Sequence, residues 1–117
     1  MPKTINYGKE FIRVSPKDER HLEYSTNDGR SWTSRCTSNS YGQFIDLIAY
    51  GKEILAITSK GIYYSTNEGR SWTSRCTSTS YGTFEHFVSV DGKEFLAQTS
   101  KGLYYSKNEG RSWTKRN

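Results

Sequence analysis

Two titratable residues at equivalent places in a repeating sequence are the first candidates for chemistry. Asp46 and His86 each lie in the opening strand of a predicted repeat unit, and Lys3 occupies the corresponding place further upstream. A carboxylate and an imidazole act as an acid–base pair only at hydrogen-bond distance. Neighbouring units could bring the two together, but polar side chains that face a water-filled channel are the simpler interpretation. We therefore predict no catalytic residues.

Basic and aromatic residues also recur and are the second set of candidates. Lysines sit in two short glycine turns, tyrosines precede two glycines, and arginines occupy one strand position in each unit. Basic and aromatic groups that alternate along a surface suit anions, sugars or nucleic acid. The alternative is a solvated lysine at a hairpin tip and a tyrosine that packs under its own loop. The predicted ligand-binding residues are Lys60, Lys101, Tyr41, Tyr81, Arg35, Arg75 and Arg116.

The positions of these residues follow from an internal repeat. The segment from Tyr24 to Trp32 returns from Tyr64 to Trp72 and again from Tyr105 to Trp113, with serines 40 and then 41 residues apart. A period near 40 residues is typical of propeller blades and of some helical arrays. Residues 24–44 and 64–84 differ at only three positions, so shared residues reflect either a repeated site or simple duplication.

The content of the repeat favours strands. Short runs rich in β-branched and aromatic residues alternate with glycine, serine and asparagine clusters, and no stretch has helical spacing over three turns. In the second unit we predict strands at about Phe44 to Tyr50, Glu53 to Thr58, Ile62 to Thr66 and Ser71 to Cys76. The first unit carries an insertion in its second turn, from Ser15 to His21.

The fold prediction is therefore an all-β propeller domain over residues 1–117. It consists of three four-stranded blades, at about 1–43, 44–83 and 84–117.

The turn before each tryptophan resembles the Asp-box, or BNR repeat, of sialidase-like β-propellers. Its pattern is Ser-x-Asp-x-Gly-x-x-Trp, and this chain has asparagine where the family has aspartate. Asparagine can make the same bonds to the backbone of a tight turn. The resemblance implies a structural role, with tryptophans that are mostly buried. The matching residues are Ser25, Asn27, Gly29, Trp32, Ser65, Asn67, Gly69, Trp72, Ser106, Asn108, Gly110 and Trp113.

The same resemblance raises the question of catalysis. A sialidase-like enzyme needs three arginines, an acid and a tyrosine–glutamate pair that converge near the axis. Here the arginines recur with the blade, which spreads them around a rim, and no nucleophile elbow, phosphate loop or metal triad is recognisable. We predict that the protein is not an enzyme and uses no cofactor or metal.

Composition and charge indicate the cellular location to be expected for the protein. The chain has a net charge of +5, a pI near 9.2 and 32% apolar residues. No stretch has the pattern of a signal peptide or of a membrane span, so we expect a cytoplasmic protein with no membrane association. Cys36 and Cys76 occupy equivalent places in neighbouring blades, too far apart for a disulfide, and we expect two free thiols.

Blade number suggests self-association. Propellers have about 4–8 blades, and three blades do not easily close a ring. We expect a homodimer that forms a six-bladed ring, with joins between chains as apolar as those within one chain. Nine blades from three copies, and completion by a different protein, are the alternatives.

The functional prediction is a non-catalytic binding propeller, lectin-like or specific for another ligand such as an anion. One alternative is a protein-interaction scaffold or assembly factor. Another is a weak binder of nucleic acid or polyanions, motivated by the basic charge.

Overall fold

Three four-stranded antiparallel sheets make up the protein. The computed structural model describes residues 4–116. In each sheet the strands follow one another in chain order, and we refer to the sheets as blades 1, 2 and 3. Their strands are β1 (Thr4–Tyr7), β2 (Glu10–Val14), β3 (Leu22–Ser25), β4 (Thr33–Cys36), β5 (Phe44–Tyr50), β6 (Glu53–Thr58), β7 (Gly61–Ser65), β8 (Thr73–Cys76), β9 (Phe84–Val90), β10 (Phe95–Thr99), β11 (Gly102–Ser106) and β12 (Thr114–Lys115).

The predicted strands of blade 2 agree closely with the structure. The first two strands have the predicted bounds, and the third begins one residue early at Gly61. The fourth begins at Thr73, two residues later than predicted, because Ser71 is bonded into the preceding turn through its backbone N–H. The longer β2–β3 connection of blade 1 spans residues 15–21, as expected from the insertion.

Each turn between the third and fourth strands of a blade, which we call a box turn, is closed by the same hydrogen bonds. In blade 2, Ser65 Oγ accepts the N–H of Gly69 at 2.9 Å, and Asn67 Oδ1 accepts the N–H of Ser71 at 3.0 Å. The indole N–H of Trp72 donates to the carbonyl of Gly69. Glu68 and Gly69 both have positive φ, at 63° and 88°. The value at Glu68 lies in the small left-handed region open to non-glycine residues, whereas that at Gly69 lies beyond it and favours glycine.

The hydrophobic core lies between blades. Since successive side chains of a strand point to opposite faces, each blade presents one face to the preceding blade and one to the following blade. The join between blades 1 and 2 buries Ile12 and Leu22 against Ile54 and Trp72. The join between blades 2 and 3 repeats this arrangement with residues that include Leu55, Ile62, Phe95 and Trp113.

The two end faces differ from the joins. On the face of blade 1 that points away from blade 2, Arg13 pairs with Glu23 at 2.8 Å, at positions where blade 2 has the core residue Ala56 and Tyr63, which packs against that core. On the outer face of blade 3, Gln98 stands where blade 2 has the buried Ile57. The prediction that these end faces are as apolar as the joins is therefore wrong.

The tryptophans of blades 2 and 3 are more deeply buried than that of blade 1. Trp72 and Trp113 are each 6% exposed. Trp32 is only half-buried, because no blade of the described chain packs on its side of blade 1. The guanidinium of Arg13 covers its ring instead, 4.0 Å from the ring centroid. This cation–π contact partly replaces the missing neighbour.

Two further expectations can be compared with the structure. Cys36 and Cys76 are both buried and free, as predicted, and burial raises the pKa of each thiol. Within residues 4–116 no helix is long and apolar enough to cross a membrane.

Replacement of Trp72 by alanine should lower the free energy of unfolding by about 3–5 kcal/mol, since it removes a large aromatic group from the first join. The matched variant Trp32→Ala should cost only about 1–2 kcal/mol, because that ring is partly exposed and packs against Arg13 and not against a neighbouring blade. Urea denaturation followed by circular dichroism measures both. Equal losses for the two variants would contradict the packing described above.

Candidate functional site

The turns and links that connect the strands lie at the two ends of the sheets and form two rims. The box rim carries the box turns and the turns between the first and second strands of each blade. The opposite rim, which we call the link rim, carries the β2–β3, β6–β7 and β10–β11 hairpins and the links between blades at residues 37–43 and 77–83. The predicted ligand-binding residues fall on both rims and do not converge on one site.

The two lysines lie on the link rim and hold the links in place. Lys60 Nζ donates to the backbone carbonyl of Ser40 at 3.0 Å, and Lys101 Nζ donates to that of Ser80 at 3.4 Å. Each lysine thus ties a hairpin to the link that enters its own blade. Their side chains remain exposed on the rim.

The two tyrosines belong to the links but pack inward. Tyr41 contacts the rings of Phe44 and Tyr63, with centroids 6.3 and 5.7 Å away, and its hydroxyl accepts the backbone N–H of Trp72. Tyr81 makes the equivalent ring contacts in blade 3. Both therefore have the packing role that we considered as the alternative. A role in ligand contact stays a prediction.

The arginines lie on the box rim, where each pairs with a glutamate and covers a tyrosine ring of its own blade. Arg35 forms a bidentate pair with Glu10 at 2.6 and 2.9 Å and lies over the ring of Tyr24. The hydrogen bond from Arg35 lowers the pKa of Glu10 and raises that of the guanidinium. Arg75 pairs with Glu53, and Arg116 with Glu94, in the same way. These arginines are thus already neutralised, and ligand contact through them also stays a prediction.

The glutamate partners were missed in the sequence. A signal was present, because Glu10, Glu53 and Glu94 each follow a Gly-Lys pair at the start of the second strand. The glutamates are 43 and 41 residues apart and the arginines 40 and 41, because the insertion in blade 1 lies between Glu10 and Arg35. Aligning the repeats across this insertion would have predicted three ion pairs.

Asp46 and His86 do not form an acid–base pair. Asp46 is 1% exposed, and its carboxylate accepts the backbone N–H of Leu47 at 3.0 Å and that of Phe87, in the next blade, at 2.8 Å. Burial raises the pKa of this carboxyl group. The expectation of a solvated channel residue is wrong for Asp46, which joins the innermost strands of blades 2 and 3. Lys3 lies outside the described residues.

The link rim offers exposed, mainly uncharged hydrogen-bonding groups. Residues 37–40 and 77–80 are all exposed, and seven of these eight carry hydroxyl groups. Between the second link and the β6–β7 hairpin lies a shallow cleft lined by residues that include Ser59, Lys60, Thr77 and Thr79. Thr79 stands at the tip of its link, where its backbone carbonyl accepts the N–H of Gly82. Among residues 4–116 no group of three or more His, Cys, Asp and Glu side chains could hold a metal ion.

Comparison with known proteins identifies a family and a fold. The model of a family described as the DUF6242 β-propeller domain matches residues 3–117. A search of curated proteins finds no match.

Solved structures with a similar fold include two of YCF48. One, YCF48 bound to D1 peptide, has a TM-score of 0.71 at 16% identity and matches 96% of this chain and 38% of its own. YCF48 from Cyanidioschyzon merolae has a TM-score of 0.70 at 18% identity over 91% of this chain and 35% of its own. A GH74 enzyme of Niastella koreensis has a TM-score of 0.55 at 22% identity over 93% of this chain and 17% of its own. This chain therefore spans less than two fifths of these structures.

Replacement of Asp46 by alanine should lower the free energy of unfolding by about 2–4 kcal/mol, because it leaves two buried backbone N–H groups without acceptors. The control is His86→Ala at the equivalent position of blade 3, which should change stability by less than about 1 kcal/mol. Thermal and urea denaturation test both. If His86→Ala is the more damaging variant, the role assigned to Asp46 is wrong.

Proposed function

We propose that this chain, which belongs to the DUF6242 β-propeller domain family, is a non-catalytic propeller that binds a protein partner. The link rim is the surface that we assign to this binding. The sequence already offered a protein-interaction scaffold as an alternative, and the exposed hydroxyl groups of the link rim favour it.

The observation that carries the proposal is the similarity to YCF48, one of whose structures contains a bound D1 peptide. The similarity in sequence is low and establishes the fold alone, so peptide binding is transferred here as a proposal. A propeller of this kind supplies a rigid rim on which loops are held at fixed spacing. Rigid presentation of loops reduces the entropy lost on binding.

The link rim fits a polypeptide better than it fits the other ligands considered. Hydroxyl groups both donate and accept hydrogen bonds, which matches the N–H and C=O groups of an extended main chain. A glycan site would be expected to use exposed aromatic rings, but Tyr41 and Tyr81 pack inward. A polyanion would need a cluster of free cations, whereas Lys60 and Lys101 each donate to a backbone carbonyl of a link and Arg35 lies on the other rim, paired with a glutamate.

The non-catalytic part of the proposal is supported by the setting of the polar residues. Asp46, which holds in blade 2 the position of His86 in blade 3, accepts two backbone N–H groups through its carboxylate. The fourth-strand arginines Arg35, Arg75 and Arg116 each pair with a glutamate of their own blade and form no common cluster. The same proposal includes association of two copies into a six-bladed ring.

We also infer that the box turns are Asp-box turns with asparagine in place of aspartate. The hydrogen bonds of Ser65 and Asn67 in blade 2 recur in the other two blades at nearly equal distances. A carboxylate at residue 67 could accept the same N–H of Ser71 and also the hydroxyl of that residue.

If this inference is right, Asn67→Asp should change the free energy of unfolding by less than about 1 kcal/mol. Asn67→Leu should cost about 1–3 kcal/mol, because the turn loses its acceptor for the N–H of Ser71. Urea denaturation of the two variants compares them directly. An aspartate variant as unstable as the leucine variant would count against the Asp-box assignment.

The binding surface can be tested once affinity capture has identified a partner and the pair has been purified. Thr79→Arg places a bulky charge on the link rim and should weaken binding at least about tenfold in calorimetry. Thr73→Arg introduces the same residue at an exposed position of β8, away from that rim, and should leave affinity unchanged.

Parallel titrations with a glycan library and with duplex DNA complete the experiment. Equal affinity of both arginine variants for the partner would overturn the assignment of the link rim. Specific binding of a glycan or of DNA, with no protein partner, would overturn the proposed function itself.

A further inference from the structure

The arginines of the box rim do more than pair with glutamate, because they join consecutive blades. Arg35 Nη1 donates to Glu10 and also, at 3.0 Å, to the backbone carbonyl of Glu68 in the box turn of blade 2. Arg75 Nη1 donates to Glu53 and, at 3.1 Å, to the carbonyl of Glu109 in the box turn of blade 3. Every join within the described chain therefore uses one such hydrogen bond.

Blade 3 carries the donor half of a further join. Arg116 pairs with Glu94 through both Nη atoms and lies 4.3 Å from the ring centroid of Tyr105, as the other arginines do on their tyrosines. Its side chain is 40% exposed, compared with 2% for Arg35 and 3% for Arg75. Within residues 4–116 no carbonyl of a following box turn reaches Arg116.

Blade 1 carries the acceptor half. Asp28 holds the same position in its box turn as Glu68 and Glu109, with nearly the same φ of 64°. The hydrogen bonds of Ser25 and Asn27 fix this turn as in the other blades. No arginine within the described part of the chain donates to the carbonyl of Asp28.

We propose that a second copy of this chain completes both halves, with Arg116 of each copy donating to the Asp28 carbonyl of the other. One copy supplies a donor at one end and an acceptor at the other, so two copies related by a two-fold axis satisfy both ends. The join repeats the contact already present twice within the chain. The inference rests on the self-association included in the proposed function and adds the residues that specify it.

The end faces set the strength of this association. The Arg13–Glu23 pair and Gln98 replace apolar residues of the internal joins, so less apolar surface is buried between copies than within one. Trp32 lies on the face that the second copy covers. The dimer is therefore reversible and depends on protein concentration, and its formation buries the Trp32 ring.

The test is sedimentation equilibrium of the chain from about 1 to 100 μM, the range in which a reversible dimer shows its concentration dependence. The wild type should form dimers as concentration rises. Arg116→Ala should raise the dimer dissociation constant about a hundredfold, or about tenfold for each of the two joins, as expected for hydrogen bonds from a charged group. Arg111→Ala, which removes an exposed arginine of the box turn of blade 3, is the control and should leave the dimer unchanged.

Two further measurements test the same join between the two copies. Arg116→Lys preserves the charge and folding of blade 3 but cannot reach Glu94 and a carbonyl together, so it should lose the dimer like the alanine variant. Acrylamide quenching of tryptophan fluorescence should fall as the wild-type dimer forms, since Trp32 becomes covered.

A wild type that stays monomeric throughout, or a loss of dimer equal in the Arg116 and Arg111 variants, would overturn the proposal. Thr79→Arg should dimerise normally, which separates this inference from partner binding on the link rim.

Discussion

The burial of one blade against the next is the constraint on which the rest of the structure depends. A four-stranded sheet has two faces and cannot bury either by itself. In the first join, for example, Ile12 and Leu22 of blade 1 pack against Trp72 and the first two strands of blade 2. An arginine bonded to a box-turn carbonyl then fixes each join near its outer edge. The join between blades 2 and 3 is also fixed near the axis, where Asp46 accepts the backbone N–H of Phe87.

This constraint explains why so many repeated polar residues are structural. A blade copied with its join residues keeps Arg35, Lys60 or their counterparts because they hold neighbouring segments together. Variation is then left to the exposed parts of the links, where Asn39 of one link is Thr79 of the next. The link rim can therefore acquire binding specificity while the joins stay unchanged.

The sequence predicted what depends on local pattern. The strand bounds of blade 2, the box turns and the free Cys36 and Cys76 follow from alternation, turn chemistry and period. It did not predict what depends on a neighbouring blade. The burial of Asp46 and the partial exposure of Trp32 result from packing across a join, or from its absence, and no local pattern encodes them. The arginine–glutamate pairs were within reach of period analysis but were missed.

The most direct test of the central claim, that the link rim binds a protein partner, is hydrogen–deuterium exchange of the chain with and without that partner. The account predicts slower exchange at residues 37–43 and 77–83 in the complex, with little change in the box turns. Protection confined to the box turns, with the links exchanging as in the free chain, would contradict it.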